Sequence, residues 1–253
     1  LHYVSGGEGR PLVLVHGSAG SWTHWLRNLA ALATVRRVYA LDMLGYADSE
    51  RPARPYGLPD FAALVDEFRQ AVVGQPSDLM GFSFGGLISA TTAATDPDGI
   101  ANLVLVAPSG WGKLNAPALS QEQNVPLRGT PEERKRVISA NMRAIYVHLP
   151  ENAQGFALDV HHHNIVRTRV STRRAISRVV DIFAVLPRIR ARTLFVWGQE
   201  DALGAPSPQW RAERIRAVLP QAQFAYIDQA GHWVQFEQAE AFNRMVVGFL
   251  STA

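Results

Sequence analysis

Gly81-Phe82-Ser83-Phe84-Gly85-Gly86 places a serine between glycines, after a short apolar run and before a run with helical spacing. A strand-to-helix turn of this kind holds a serine hydroxyl out from the backbone, and only glycine tolerates the crowding on either side. The chemistry such a serine does is nucleophilic attack on a carbonyl, which needs a base, an acid behind the base, and donors for the oxyanion. His232, in Gly231-His232-Trp233, is the candidate base. Asp201, in Trp197-Gly198-Gln199-Glu200-Asp201, is the candidate acid that fixes the His232 tautomer, with Glu200 as its rival. The backbone N–H of Phe84, at the helix start, is one expected oxyanion donor. That of Ser18, in His16-Gly17-Ser18-Ala19-Gly20, is the other. The His16 side chain is read as structural.

These residues need a scaffold that brings distant segments to one edge. Short apolar runs at Leu12–Val15, Val38–Leu41, Leu79–Phe82, Leu103–Ala107, Leu194–Trp197 and Phe224–Ile227 read as buried strands. Leu12–Val15 is expected to be entered from a hairpin across Ser5–Gly9. Helical spacing follows at Trp25–Ala33, at Phe61–Val73 with Asp60 at its start and Gly74 as its stop, at Leu87–Ala94, and at Ala239–Leu250. Alternation of this kind predicts an α/β protein with a mostly parallel, doubly wound sheet. The rhythm breaks between Gly110 and Pro187. There Thr130-Pro131-Glu132-Glu133 is a capped helix start, and helical patterning returns near Ile176–Leu186. The expected organisation is a core of 1–111 and 188–253 with an inserted helical lid at 112–187. Ser83, Asp201 and His232 then each follow a strand, in the chain order this fold uses.

Composition narrows the function. The 253 residues suffice for one large domain. With 25 basic and 22 acidic residues and no run of like charge, a nucleic-acid partner is not expected. The absence of Cys excludes disulfides, thiolate catalysis and zinc–thiolate sites. No apolar run reaches the roughly 18 residues of a membrane span. The opening Leu1-His2-Tyr3-Val4 is not a signal peptide, and a start at Leu rather than Met points to a trimmed N-terminus. The expectation is a cytoplasmic enzyme on a small-molecule substrate, without metal or cofactor, open to homo-oligomerisation. The run His161-His162-His163 is not a metal site, because successive helical residues point apart; a polar lid surface is expected. Gly7-Glu8-Gly9 lacks the third glycine of a dinucleotide loop and precedes a strand.

The whole chain resembles the α/β-hydrolase superfamily, and within it the meta-cleavage product hydrolases, which cut C–C bonds in ring-opened aromatic catabolites. Gly231-His232-Trp233-Val234-Gln235-Phe236-Glu237, Phe242-Asn243-Arg244, and Asp42-Met43-Leu44-Gly45-Tyr46 with Ser49 are similar to that branch. In the superfamily Asp42 is structural. The resemblance implies C–C cleavage of a ring-fission dienone, with prior ketonisation of the dienol and a lid Arg on the substrate carboxylate. Arg167 is the candidate among Arg167, Arg169, Arg173, Arg174 and Arg178. The substrate-contacting candidates are His24, Phe82, Arg167 and Trp233. The branch carries Asn before the nucleophile where this chain has Phe82, and its Gly loop is longer. These differences favour the alternative of a carboxylesterase or lactonase. A ligand receptor on a hydrolase scaffold is the alternative of another class. A serine at position 83 excludes the alkyl-ester chemistry of relatives that carry Asp there.

Overall fold

The computed structural model describes residues 1–74, 76–111, 122–170, 181–204 and 207–252. Seven strands make one sheet: β1 (His2–Gly6), β2 (Pro11–Val15), β3 (Arg37–Asp42), β4 (Ser77–Phe82), β5 (Ile100–Val106), β6 (Arg192–Gly198) and β7 (Gln223–Ile227), in the order β1-β3-β2-β4-β5-β6-β7. All neighbours are parallel except β1, which runs antiparallel to β3. β2 and β4 are buried at every position, as strands covered on both faces must be. β1 alternates half-buried and exposed residues, as an edge strand does.

The expected hairpin into β2 does not form. β1 pairs with β3, His2 opposite Asp42, so Gly7–Arg10 carries the chain past an intervening strand. The helix expected at Trp25–Ala33 is also broken. A 3₁₀ turn at Trp22–Trp25, capped by Ser21, gives way to a single helical turn at Leu29–Leu32.

Helix α1 (Leu58–Phe68) starts where Asp60 accepts the Gly57 N–H at 2.8 Å. It widens into a π turn over Arg69–Val73 and stops at Gly74, whose φ of 69° suits glycine. Helix α2 (Phe84–Thr95) follows β4 without a loop. After β5 the chain leaves the sheet, returning at Arg192. In this excursion α3 (Pro131–Asn141) begins with the expected capping box: Thr130 and Glu133 each bond the other's backbone N–H. It ends in a second π turn, Met142–Tyr146, and α4 (Gly155–Val166) lies against it. Of the helix expected near Ile176–Leu186, residues 171–180 lie outside the described residues. The remainder is two 3₁₀ turns, Ile182–Ala184 and Leu186–Arg188, the second carrying Pro187 in its first turn. Helices α5 (Pro208–Val218) and α6 (Ala239–Ser251) complete the layers. Among the described residues no helix is long and apolar enough to cross a membrane.

β2 lies between β3 and β4, so the winding reverses at the β2–β4 junction. The carboxyl ends of strands at such a point form a crevice. Val15 pairs with Gly81, so the His16–Gly20 loop and Ser83 emerge side by side. Gly198 pairs with Ile227, which brings out the Asp201 and His232 loops together.

Candidate active site

Ser83 sits between β4 and α2 at φ 53°, ψ −115°, a backbone state that costs a non-glycine residue about 1–3 kcal/mol. The neighbourhood enforces it: Ser83 N–H donates to Val106 O at 2.9 Å, and its carbonyl accepts from Ser109 N–H at 3.0 Å. A Cβ at Gly81 would strike the Gly85 carbonyl and Ser89 Oγ, and one at Gly85 the carbonyls of Val15 and His16. Both glycines are therefore steric requirements of the turn.

The structure brings Ser83, His232 and Asp201 together. His232 Nε2 lies 2.9 Å from Ser83 Oγ, and Nδ1 lies 3.1 and 3.0 Å from the two Asp201 oxygens. A carboxylate only accepts, so Nδ1–H donates to Asp201, leaving Nε2 as the acceptor for the serine hydroxyl. His232 and Asp201 are buried. Glu200, the rival acid, accepts the Ala230 N–H at 3.0 Å and so pins the loop that carries His232. Asp201 Oδ1 also accepts from Leu203 N–H at 2.9 Å. The Leu203 carbonyl in turn accepts from Arg211 at 2.6 Å. Arg211, stacked 4.7 Å over Trp111, is lowered to about 10 by burial, against the pull of Asp201. The sequence reading passed over this buried cation, because Arg211 is one of three arginines in helix α5 and nothing in the chain marks it apart from Arg214 and Arg216.

Phe84 is the first residue of α2, where a helix N–H has no partner within the helix. Ser18 is oriented by the peptide before it. His16 Nδ1–H donates to the Gly17 carbonyl at 2.7 Å, while His16 Nε2 accepts the Met43 N–H at 3.0 Å. In a trans peptide the Ser18 N–H points opposite to that carbonyl. The Gly17 N–H donates to His24 Nδ1 at 3.3 Å. Two histidines thus clamp the Gly17 peptide, and Gly17 itself abuts the Phe82 ring and Ser83 Cβ. His16 has both nitrogens committed to the backbone, as its structural reading requires. Asp42 is structural as well: it accepts from Trp22 N–H at 2.8 Å and faces His2 Nδ1 at 2.7 Å.

Around the relay stands a cage of rings. Phe82 lies 5.1 Å from His232 and 5.3 Å from His24, and Trp233 lies 5.3 Å from His24. Trp233 is buried, with its indole N–H 3.4 Å from the His24 carbonyl. The excursion closes the cage. Tyr146 packs 4.8 Å from His161 and 5.9 Å from His232, and His161 lies 6.0 Å from Trp233 and 6.4 Å from His24. Burial brings His161 down to about 4. Burial also holds His24 well below the ordinary imidazole range, reinforced by His16, His161 and His232.

The three-histidine run separates as helical geometry demands. His161 turns inward, His162 accepts from Arg134 at 3.2 Å, and His163 lies 3.0 Å from Arg167. The polar surface expected of the run is wrong for His161, which is only 2% exposed. No signal in the sequence singled it out, because its neighbours are equally polar. Asn164, one turn on, shares its buried face and accepts from Ser21 at 2.9 Å and Thr23 at 3.1 Å.

Arg167 is not brought to this cage. Its guanidinium pairs with Asp48 on the loop after β3. Arg169 reaches the same loop, bonding the carbonyls of Ala47 and Ser49. Arg173, Arg174 and Arg178 lie outside the described residues. Among the described residues the one cluster with metal-ligand spacing is His2, Asp42 and Asp48, where Asp48 already holds Arg167.

The sequence model of the alpha/beta hydrolase family matches residues 12–245, and the chain belongs to that family. Among its relatives, the dihydrolipoyllysine-residue acetyltransferase component of the acetoin cleaving system of Pseudomonas putida is 30% identical over 97% of this chain. The match spans 65% of that longer protein. The 2-hydroxy-6-oxo-6-phenylhexa-2,4-dienoate hydrolase of Comamonas testosteroni is 26% identical over 99% of this chain and 91% of its own. The enol-lactonase of Burkholderia xenovorans LB400 shares the fold, with a TM-score of 0.83 and 22% identity over 99% of this chain and 96% of its own.

Proposed function

We propose that this chain is a serine hydrolase of small carbonyl compounds. Ser83 is its nucleophile, His232 its general base and acid, and Asp201 the group that orients His232. The observation that carries this reading is the continuous relay from Ser83 Oγ through His232 to Asp201, at 2.9 and 3.0 Å. Ser83 Oγ attacks the carbonyl carbon and its proton passes to His232 Nε2. The oxyanion rests on the N–H groups of Ser18 and Phe84. His232 returns the proton to the departing group, then takes one from water, and the resulting hydroxide releases the acyl group from Ser83. Segment 112–187 serves as a lid over this site.

The substrate we favour is a ring-fission dienone cleaved at a C–C bond, as the name of the Comamonas relative describes for that protein. A second reading, hydrolysis of a small ester or lactone, is favoured by Phe82, an apolar ring packed against His232. Turnover of ring-fission products beside p-nitrophenyl esters, with Ser83→Ala as blank, separates the two. Ser83→Ala is expected to lose several orders of magnitude in kcat on whichever substrate is turned over. Near-wild-type turnover in that variant would overturn the proposal.

A further inference from the structure

The peptide N–H groups on either side of His232 are both tied to the excursion after β5, one directly and one through a side chain. Trp233 N–H donates to the Tyr146 carbonyl at 2.8 Å. Gly231 N–H donates to Glu237 Oε2 at 2.7 Å. The other oxygen of Glu237 accepts from Leu149 N–H at 3.0 Å and from Asn152 Nδ2 at 3.2 Å. His148 N–H lies 3.0 and 3.1 Å from the two oxygens. Glu237 is buried, and each of these partners is an N–H group rather than a cation. Burying a carboxylate is costly, and here charge-assisted bonds that draw two chain segments onto one side chain offset that cost.

The local fold places Glu237 for this. It lies one turn beyond Trp233, in the helical turn Val234–Glu237, and its N–H bonds the Trp233 carbonyl. Side chains on a helix lean towards its N-terminus, so the carboxylate folds back over the loop that carries His232. The excursion comes close enough to meet it. A Cβ at Gly231 would lie 2.8 Å from His148 N and 2.9 Å from Val147 C, so glycine lets that backbone rest on the loop. Of the N–H groups of Ala230, Gly231 and Trp233, only that of Ala230 is held from the strand-end side, by Glu200.

We infer that Glu237 is a positioning residue for catalysis: with the Tyr146 carbonyl it fixes the His232 loop to segment 146–149, so that His232 meets Ser83 only while that segment is seated. This rests on the hydrolase reading and deepens it. The 2.9 Å contact between His232 Nε2 and Ser83 Oγ is then set by the excursion as well as by the sheet.

Fluorophosphonate labelling of Ser83 tests this without a choice of substrate. Its saturating rate reads the activation of Ser83 by His232, and its half-saturation concentration reads access to the site. Glu237→Gln keeps the shape, but one accepting oxygen must then serve donors on two segments. The saturating rate is expected to fall about 10- to 100-fold, the effect of a base displaced by about an ångström. The half-saturation concentration should stay within about threefold, and labelling should still reach one adduct per chain. Val65→Ala, a buried truncation in α1 that also lowers Tm, should label within about twofold of the wild type. A Glu237→Gln rate within about twofold of the wild type, or an equal slowing in Val65→Ala, overturns the inference, since Glu237 then serves stability alone. Amide exchange in the wild-type chain reads the coupling without any variant. Gly231, Trp233, His148 and Leu149 are expected to share one opening, with protection factors within about tenfold of one another. Loop amides protected about 100-fold or more above those of His148 and Leu149 overturn the inference as well. These results leave the hydrolase reading intact if Ser83 of the wild type is labelled. Absence of that labelling overturns that reading and the inference with it.

Discussion

The two sides of the site are built on different terms. On the side made by strand ends, the relay residues and the histidine behind them are each held by two or more hydrogen bonds. His232 uses both ring nitrogens, His16 uses both of its own, and Asp201 accepts from His232 and Leu203. The side made by the excursion after β5 is latched at its margins, with a buried ring at its centre. Glu237 holds it near His232, accepting from Gly231, His148 and Leu149 N–H at 2.7–3.0 Å. Asn164 and Arg169 hold it to the loops after β2 and β3. His161, in the middle, keeps an unpartnered nitrogen. An imidazole with both nitrogens bonded has one arrangement and suits a fixed reaction.

Breaking the relay on the strand-end side should have the largest effect. Asp201→Asn keeps the shape but lets the amide favour the wrong His232 tautomer, and kcat is expected to fall about 10⁴-fold. Glu200→Gln keeps the acceptor for Ala230 N–H and should stay within about threefold. Steady-state kinetics on one ester compares them, and equal losses would mean that the relay is misassigned. The latch comes next. Glu237→Ala leaves several buried N–H groups without a partner, at about 3 kcal/mol or more. For a chain of this size that lowers Tm by roughly 6–12 °C, measurable by calorimetry. A shift below about 2 °C would show that the excursion is not held there.

Acid should act on buried imidazoles of both sides. Folded His161 titrates at about 4 against an ordinary 6.5, and His24 is displaced in the same direction. The folded chain therefore binds fewer protons than the unfolded one between those values. Their contribution is complete above about pH 6.5 and is lost as pH falls towards 4, on the order of 3 kcal/mol for His161. Thermal melts from pH 7 downward should fall less steeply in His161→Phe than in the wild type; identical slopes would remove His161 as a source of acid sensitivity. The smallest effect is expected for Arg167→Ala. Its pairing with Asp48 is partly exposed and worth under about 1 kcal/mol, so Tm and KM for a carboxylated ester should barely change. A several-fold rise in that KM would restore Arg167 as a carboxylate ligand.

This division also governs how much of the molecule was legible in the sequence. Buried parallel strands are short apolar runs, and the glycines around Ser83 are demanded by backbone collisions. Both leave marks on the chain. Chain order then placed Asp201 and His232. The edge strand β1 was illegible because its half-buried alternation, Val4 between Tyr3 and Ser5, resembles a turn lead, and its partner is β3 rather than the next strand. His161 was illegible for a related reason: it is buried among rings, yet it sits in a polar stretch, not an apolar one. Arg167 was legible as a cation, but its partner Asp48 lies 119 positions away.

The most direct measurement is active-site labelling with a fluorophosphonate, followed by peptide mass analysis. One adduct per chain on the peptide that contains Ser83 is expected, absent in Ser83→Ala and much slower in His232→Gln. Labelling elsewhere, or labelling of Ser83 at an unchanged rate without His232, would contradict the relay.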